Sequence, residues 1–438
     1  MDWSIRAVRF TPHRQSFGGS RHAFYLALSQ ASRVLGPGLA FIVLATAWSP
    51  DTFGRFASLY SLSYLLTFLP AAGAAAYVLD QAARHPQRFQ DIRRFGLITA
   101  GSGILLLPPA ALFIGVHSGT GDVLLFSGLS VFALLSALNE VEIASHRARL
   151  AETPVVLSAI AANATLLATA ATVASVKPEP YAALLWLISG WMLTRFVQRW
   201  FLARCNRRHI QSHLLNHSGR KQRRGILAAG DQRLLIPYLA SNAAGVVYAH
   251  GDVLLVRLVL GEAAAGLYTA VARLLQISSM ACHALAQWFQ PRLARLQPES
   301  RQWRHQRQNL ILALTCLTVT GALGFTLGGS RLLTILFGPE YASAGSIMFL
   351  AAAALAGRCL VAALWIEHTA RQMEAARARQ NWLLNGIFLA SALPLASLNG
   401  GAGVMAAHAV ALGLIAIVAA RGLSHARQQQ SGTVKHHA

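Results

Sequence analysis

GDVLLVRLVLGEAAAGLYTAVARLLQ occupies residues 251–276, and how it is read decides the fold. Two apolar runs meet at Gly261-Glu262. Asp252 opens the first run, Arg257 closes it, and Arg273 sits inside the second. A run of about 20 apolar residues is the length of a helix crossing a bilayer. A short Gly-Glu break between two such runs reads as a tight turn between two spanning helices. An ionisable group near the middle of a spanning helix costs at least about 2.5–3.5 kcal/mol. Asp252 and Arg273 are therefore expected to face a bundle interior, not lipid.

The rest of the chain has the same character. Of 438 residues, 54% are hydrophobic and 12% charged, where soluble domains carry about 25% charged residues. Mean hydropathy is +0.44. Twelve apolar runs fall near 24–48, 56–79, 95–117, 123–145, 153–175, 181–203, 234–258, 264–290, 309–329, 342–366, 381–398 and 404–420. The expected fold is an all-α polytopic membrane protein of about 12 transmembrane helices. The polar stretch 204–233 divides it into two six-helix bundles. The expected organisation is a tail over 1–23, a first bundle over 24–203, a basic linker over 204–233, a second bundle over 234–420 and a tail over 421–438.

The formal net charge is +22. Its placement is informative. The two tails and alternate connections (80–94, 146–150, 204–233, 291–308, 367–380) hold 29 of the 38 Lys+Arg. The opposite connections hold only Arg55, Lys177, Arg257 and Arg331. This asymmetry predicts both termini on the cytoplasmic side. It also makes nucleic acid an unnecessary partner, because the basic segments lack interleaved aromatics and any known binding module. Cys205, Cys282, Cys316 and Cys359 form no CxxC pair and read as buried thiols, not a zinc site or a disulfide framework. No Ser/His/Asp, HExxH or P-loop constellation is present, so no covalent chemistry is expected.

The halves echo each other. WSPDTFGRFASLY (48–60) and LGEAAAGLYTAVA (260–272) each place a glycine two residues before an aromatic, Gly54 with Phe56 and Gly266 with Tyr268. Such repeats mark secondary transporters. LFGPEYASAG (336–345) adds a third break. These stretches, with Asp252, Gly261-Glu262, Gly266, Tyr268, Ala272 and Arg273 in order, resemble the polysaccharide biosynthesis or O-antigen flippases (Wzx type) of the multidrug/oligosaccharidyl-lipid/polysaccharide (MOP) exporter superfamily. The resemblance implies two six-helix bundles around a central, alternately opening cavity, as in the related multidrug branch. It also implies a cargo, an undecaprenyl-pyrophosphate-linked oligosaccharide in membrane lipid, carried across the bacterial inner membrane. Polysaccharide polymerase and glycosyltransferase partners would follow.

The embedded charges fit such a cargo. Arg33, Arg273 and Arg358 are candidate ligands for the pyrophosphate, since guanidinium groups bind phosphate oxygens by charge-assisted, often bidentate bonds. Asn242, with Asn163, His250, Gln276 and Gln287, is a candidate sugar contact. Asp252 is expected to pair with an arginine of another helix, or to be a proton-coupling site. Arg195 and Arg199 are expected to snorkel to the membrane surface. Glu140 and Glu142 are expected to form a solvated pair with Arg147. His250, His283 and His408 form no metal motif. Two further classes remain open. One is a multidrug/cation antiporter, which would favour embedded carboxylates; the other is a membrane polymerase or ligase, which would need a large outer loop. A lipid II flippase is a relative of the first class, with fourteen helices.

Overall fold

The computed structural model describes residues 36–118, 120–149, 152–176, 180–216, 229–297, 300–371 and 373–435. Every element among them is helical. In order they are α1 (Gly36–Ala47), α2 (Pro50–Ala71), α3 (Ala74–Arg84), α4 (Phe89–Gly101), α5 (Leu107–Ser118), α6 (Thr120–Arg147), α7 (Glu152–Val176), α8 (Pro180–Asn216), α9 (Ala229–Leu260), α10 (Glu262–Arg295), α11 (Arg301–Phe337), α12 (Met348–Ala370) and α13 (Glu374–Lys435). Short 3-10 turns cover Ser102–Leu106 and Pro339–Ile347.

Local chemistry sets the breaks. Ser49 caps α2, its hydroxyl accepting from Thr52 N at 3.4 Å, with Pro50 at the first position and Asp51 in the first turn. Pro108 and Pro109 have no N–H to continue the ladder of α4. The chain tightens into the 3-10 turn there and resumes as α5. Pro394 lies inside α13, and the helix breaks five residues later at Asn399 and Gly400, the latter at φ 59°. That break separates the eleventh expected run from the twelfth.

Eight helical segments among the described residues are long and apolar enough to cross a membrane, and α1 is a shorter apolar helix. α8 and α10 exceed that length but are not among the eight. They carry Arg195, Gln198 and Arg199, and Arg273 and Gln276, inside their runs. The outer surface is apolar: Leu258 is 86% exposed and Leu327 82%. Exposed leucines at this density are what a lipid-facing surface presents.

Two groups of helices form. In the first, α6 packs on α2, α3, α4, α5 and α8, and α7 on α8. In the second, α12 packs on α10, α11 and α13, and α9 on α13. They meet where α2 lies against α9 and α10. Helices in lipid gain little from the hydrophobic effect between them and rely on close packing of small residues. The two repeat glycines supply this packing. A Cβ on Gly54 would overlap the Glu262 carbonyl oxygen, and one on Gly266 would overlap the Pro50 carbonyl oxygen. Each glycine thus rests on the carbonyl four residues before the other, so the contact is reciprocal. Phe53 packs edge-on to Tyr341 at 6.1 Å, and the Tyr341 hydroxyl donates to Trp48 O at 3.3 Å. All three sequence breaks therefore converge and close one end of the interface.

Candidate functional site

Below that closed end, polar groups collect between the two groups of helices. Arg273 projects from α10 with its guanidinium 4.0 Å above the Phe41 ring and 5.6 Å from that of Tyr60. Its Nη1 donates to Gln276 Oε1 at 2.7 Å, while Nε is buried with no acceptor. Arg358 of α12 lies 5.7 Å from the Tyr248 ring. It reaches Ser279 Oγ at 3.4 Å, and its Nε is also unsatisfied. From α8, Arg195 bonds Gln198 at 2.8 Å and lies over Phe132 at 5.4 Å. Arg195 Nε and Arg199 Nη1 lack acceptors too. None of these four arginines has a carboxylate partner among the described residues. Instead of snorkelling outward, Arg195 turns its guanidinium inward over a core aromatic ring.

Asp252 has a different solution from the expected arginine pair. Its Oδ2 accepts from the Tyr268 hydroxyl at 3.0 Å and lies 3.2 Å from His408 Nε2. Its Oδ1 accepts from Val253 N at 2.7 Å. His408 Nδ1 is in turn 3.0 Å from the Tyr248 hydroxyl. The chain Asp252–His408–Tyr248 ends beside Arg358. Glu262, the other acid of the opening stretch, pairs with Arg257 at 2.6 Å across the turn.

Glu142 also departs from expectation. It is fully buried. It is held by Arg93, which donates from both Nε (2.9 Å) and Nη2, and by Asn206 Nδ2 at 2.6 Å. Arg149 donates to Asn206 and lies over Phe89 at 3.9 Å. Burial and the neighbouring Arg93 bring the Arg149 guanidinium down to about 10. For Glu142 the reason for this departure is position: α4 and α8 flank α6 there and shield its carboxylate from solvent. Cys316 is exposed on the outer surface, where a buried thiol was expected.

Asn242 takes no part in the cluster. Its Nδ2 donates to Tyr238 O of its own helix at 2.8 Å, on an exposed face of α9. Arg33 and the side chains of His283 and Gln287 lie outside the described residues. The sequence reading passed over a ladder of rings on α2. Tyr60 stacks on Tyr64 at 4.5 Å, and Tyr64 on Phe68 at 4.9 Å. His250 of α9 covers Tyr64 from across the interface at 5.2 Å, its Nδ1 buried and unpartnered. The i, i+4, i+8 spacing of Tyr60, Tyr64 and Phe68 was the available signal, and it also fits plain core packing.

This arrangement defines a class: a multi-pass membrane protein with the fold of MOP-superfamily transporters. The lipid II flippase MurJ in its inward closed conformation superposes with a TM-score of 0.69 at 10% identity, covering 92% of this chain and 87% of that one. An inward-facing multidrug resistance MATE transporter of the MOP superfamily gives 0.65 at 12% identity, covering 93% and 96%. A MOP superfamily transporter from Pyrococcus furiosus, described by the reverse polarity of its binding pocket, gives 0.58 at 10% identity, covering 91% and 93%. The model of the polysaccharide biosynthesis protein family matches residues 43–346, and the chain belongs to that family. No curated protein sequence matches it.

Proposed function

We propose that this protein is a flippase that carries a polyprenyl-pyrophosphate-linked oligosaccharide across the bacterial inner membrane, for cell-surface or exopolysaccharide synthesis. One observation carries the reading. Arg195, Arg199, Arg273 and Arg358 present unsatisfied donors inside a membrane protein and form no ion pair with a carboxylate among the described residues. Uncompensated charge in such a place is expensive. An interior of this sign suits an anionic cargo whose phosphate oxygens complete the missing bonds. A cation antiporter would need the reverse.

In this reading both termini are cytoplasmic, and the end closed by Gly54 and Gly266 is the periplasmic gate. The pyrophosphate binds Arg273 and Arg358. The sugars lie along Tyr60, Tyr64 and Phe68, whose ring faces match the C–H faces of pyranoses. His250 leaves Tyr64 as the two bundles separate. Asp252 and His408 form a proton-binding pair that couples the cycle to the proton gradient. The product passes to a polysaccharide polymerase, as glycosyltransferases supply the substrate.

The test is reconstitution in liposomes with a polyprenyl-pyrophosphate oligosaccharide labelled in its sugar. An impermeant sugar-modifying enzyme reports which leaflet holds the label. Exposure of the label faster than in protein-free liposomes is expected. Equal rates, together with export of a cationic dye, would replace this reading with the drug antiporter.

A further inference from the structure

Two of the four cysteines meet. Cys282 of α10 and Cys359 of α12 are each 1% exposed, and their Sγ atoms are 2.6 Å apart. Both are free thiols. The two side chains face each other across the α10–α12 contact, within reach of a disulfide. No other pair of sulfurs is in contact among the described residues: Cys205 is half-buried and Cys316 faces outward.

Buried thiols are ordinarily inert for want of a thiolate and of access. Here the geometry offers a cation beside the pair and a route to it. Arg358 precedes Cys359, and its guanidinium is within electrostatic reach of both sulfurs. Access comes from the outer surface. A groove of about 320 Å³ runs between α11 and α12, lined by Leu310, Leu314, Thr318, Leu360 and Ala363, and reaches Cys359. Its walls are mostly apolar, with Arg307 and Glu367 also lining it, and admit a molecule dissolved in the lipid. The open cleft of about 640 Å³ at the α10–α11 turn, among Arg292, Arg301 and His305, does not touch either sulfur.

We propose that Cys282 and Cys359 are a redox pair, closed to a disulfide by an organic hydroperoxide arriving through this groove. One sulfur attacks the outer peroxide oxygen as a thiolate. The O–O bond breaks, the alkoxide leaves and takes up the thiol proton as an alcohol, and the sulfur becomes a sulfenic acid. The second sulfur then displaces hydroxide, which leaves as water with the second thiol proton. Two thiols lose two electrons and the hydroperoxide gains them. The bond ties α10 to α12 across 77 residues of chain, one turn from the Ser279–Arg358 contact. It thereby fixes the distance between the helices that carry Arg273 and Arg358. Reduction by a dithiol reverses it.

The test uses the full chain in lipid nanodiscs with cumene hydroperoxide. After exposure the protein is unfolded, alkylated with N-ethylmaleimide, digested and weighed. The expected product is a cross-linked peptide pair containing Cys282 and Cys359, two hydrogens lighter than the free peptides and lost on dithiothreitol treatment. Cys205 and Cys316 remain alkylated. The unfolding midpoint rises on oxidation in wild type and not in Cys282→Ser, where Cys359 gains oxygen instead. Full alkylation of both thiols after exposure would overturn the proposal. So would sulfinic acid on Cys359 of wild type without a cross-link. The mass measurement on wild type stands even if the serine variant fails to fold.

Discussion

Among the buried carboxylates, Glu142 of the first half and Asp252 of the second are satisfied in opposite ways. Glu142 in the first half is locked to Arg93 and Asn206, with Arg149 behind. Asp252 in the second half has only neutral donors and a histidine: Tyr268, Val253 N and His408. Arg273 and Arg358 stand on neighbouring helices, yet neither pairs with it. The first half uses its acid to hold an arginine in place. In the second half Arg307 and Arg371 hold Glu367 in the same manner, whereas Asp252 has no arginine partner among the described residues. One site is a lock, and in the proposed cycle the other is where a proton binds.

The largest expected effect tests the lock. Glu142→Ala strands Arg93 in a buried site, and breaking a buried pair from one side costs about 3–5 kcal/mol. Asp252→Asn keeps a hydrogen-bonding group and loses about 1 kcal/mol, the scale of one ordinary hydrogen bond. Thermal unfolding of the purified variants compares them. If Asp252→Asn is as damaging as Glu142→Ala, the distinction between lock and switch fails.

Next come the free arginines. Hydrogen bonds to charged groups are worth about 1.5–3 kcal/mol, so Arg273→Ala or Arg358→Ala should slow transport about 10- to 100-fold with the fold intact. Arg273→Lys keeps the charge but loses the planar fork, and should recover only part of the rate. Transport unchanged in both alanine variants would leave these arginines structural, as Arg93 is. Asp252→Asn, nearly silent in unfolding, should flatten the pH profile of transport. A profile identical to wild type would remove the switch.

How much of this was legible in the sequence follows from what each signal measures. Hydropathy reports length and polarity along one chain, so the helices and their turns were readable from residues 251–276 outward. The glycines were readable too, because Gly54 and Gly266 repeat in register. Partners were not. Glu142 and Arg93 are 49 residues apart, and Asp252 and His408 are 156 apart. Only the packing of α6 on α4, and of α9 on α13, brings them together. Asp252 was rightly singled out as an embedded charge, but its partner was misjudged, because arginine is the commoner counter-charge and a histidine far along the chain carries no flag. Asn242 shows the converse difficulty. Its polarity marked it, and the bond seen for it is to Tyr238 O one turn back on its own helix.

The reciprocal glycine contact gives a smaller effect. Gly54→Ala or Gly266→Ala sets a methyl group against a backbone carbonyl that has no rotamer with which to yield. Overpacking of this kind costs about 1–3 kcal/mol. It falls on the closed end alone, so the state with that end open should gain population. Cysteines placed at Thr52 and Ala263 would report the change as slower cross-linking across the gate. Because each glycine opposes the same feature on its partner, the two variants should behave alike. Unequal effects would show that the repeat symmetry does not extend to the gate.

The smallest expected effect concerns the ring ladder, and it separates sugar recognition from charge recognition. An aromatic contact is worth about 0.5–1.5 kcal/mol beyond the area it buries, so Tyr64→Leu should weaken cargo binding about three- to tenfold. Tyr64→Phe keeps the ring face and should change little. The loss should appear with the glycosylated lipid and vanish with bare polyprenyl pyrophosphate, which meets the arginines but has no sugar to lay on the ring. Arg273→Ala should weaken both ligands. If Tyr64→Leu weakens both equally, Tyr64 is a packing residue of the interface and the sugars lie elsewhere. If it weakens only the glycosylated lipid, the cavity has two subsites, with the phosphate on the free arginines and the sugar on the α2 rings.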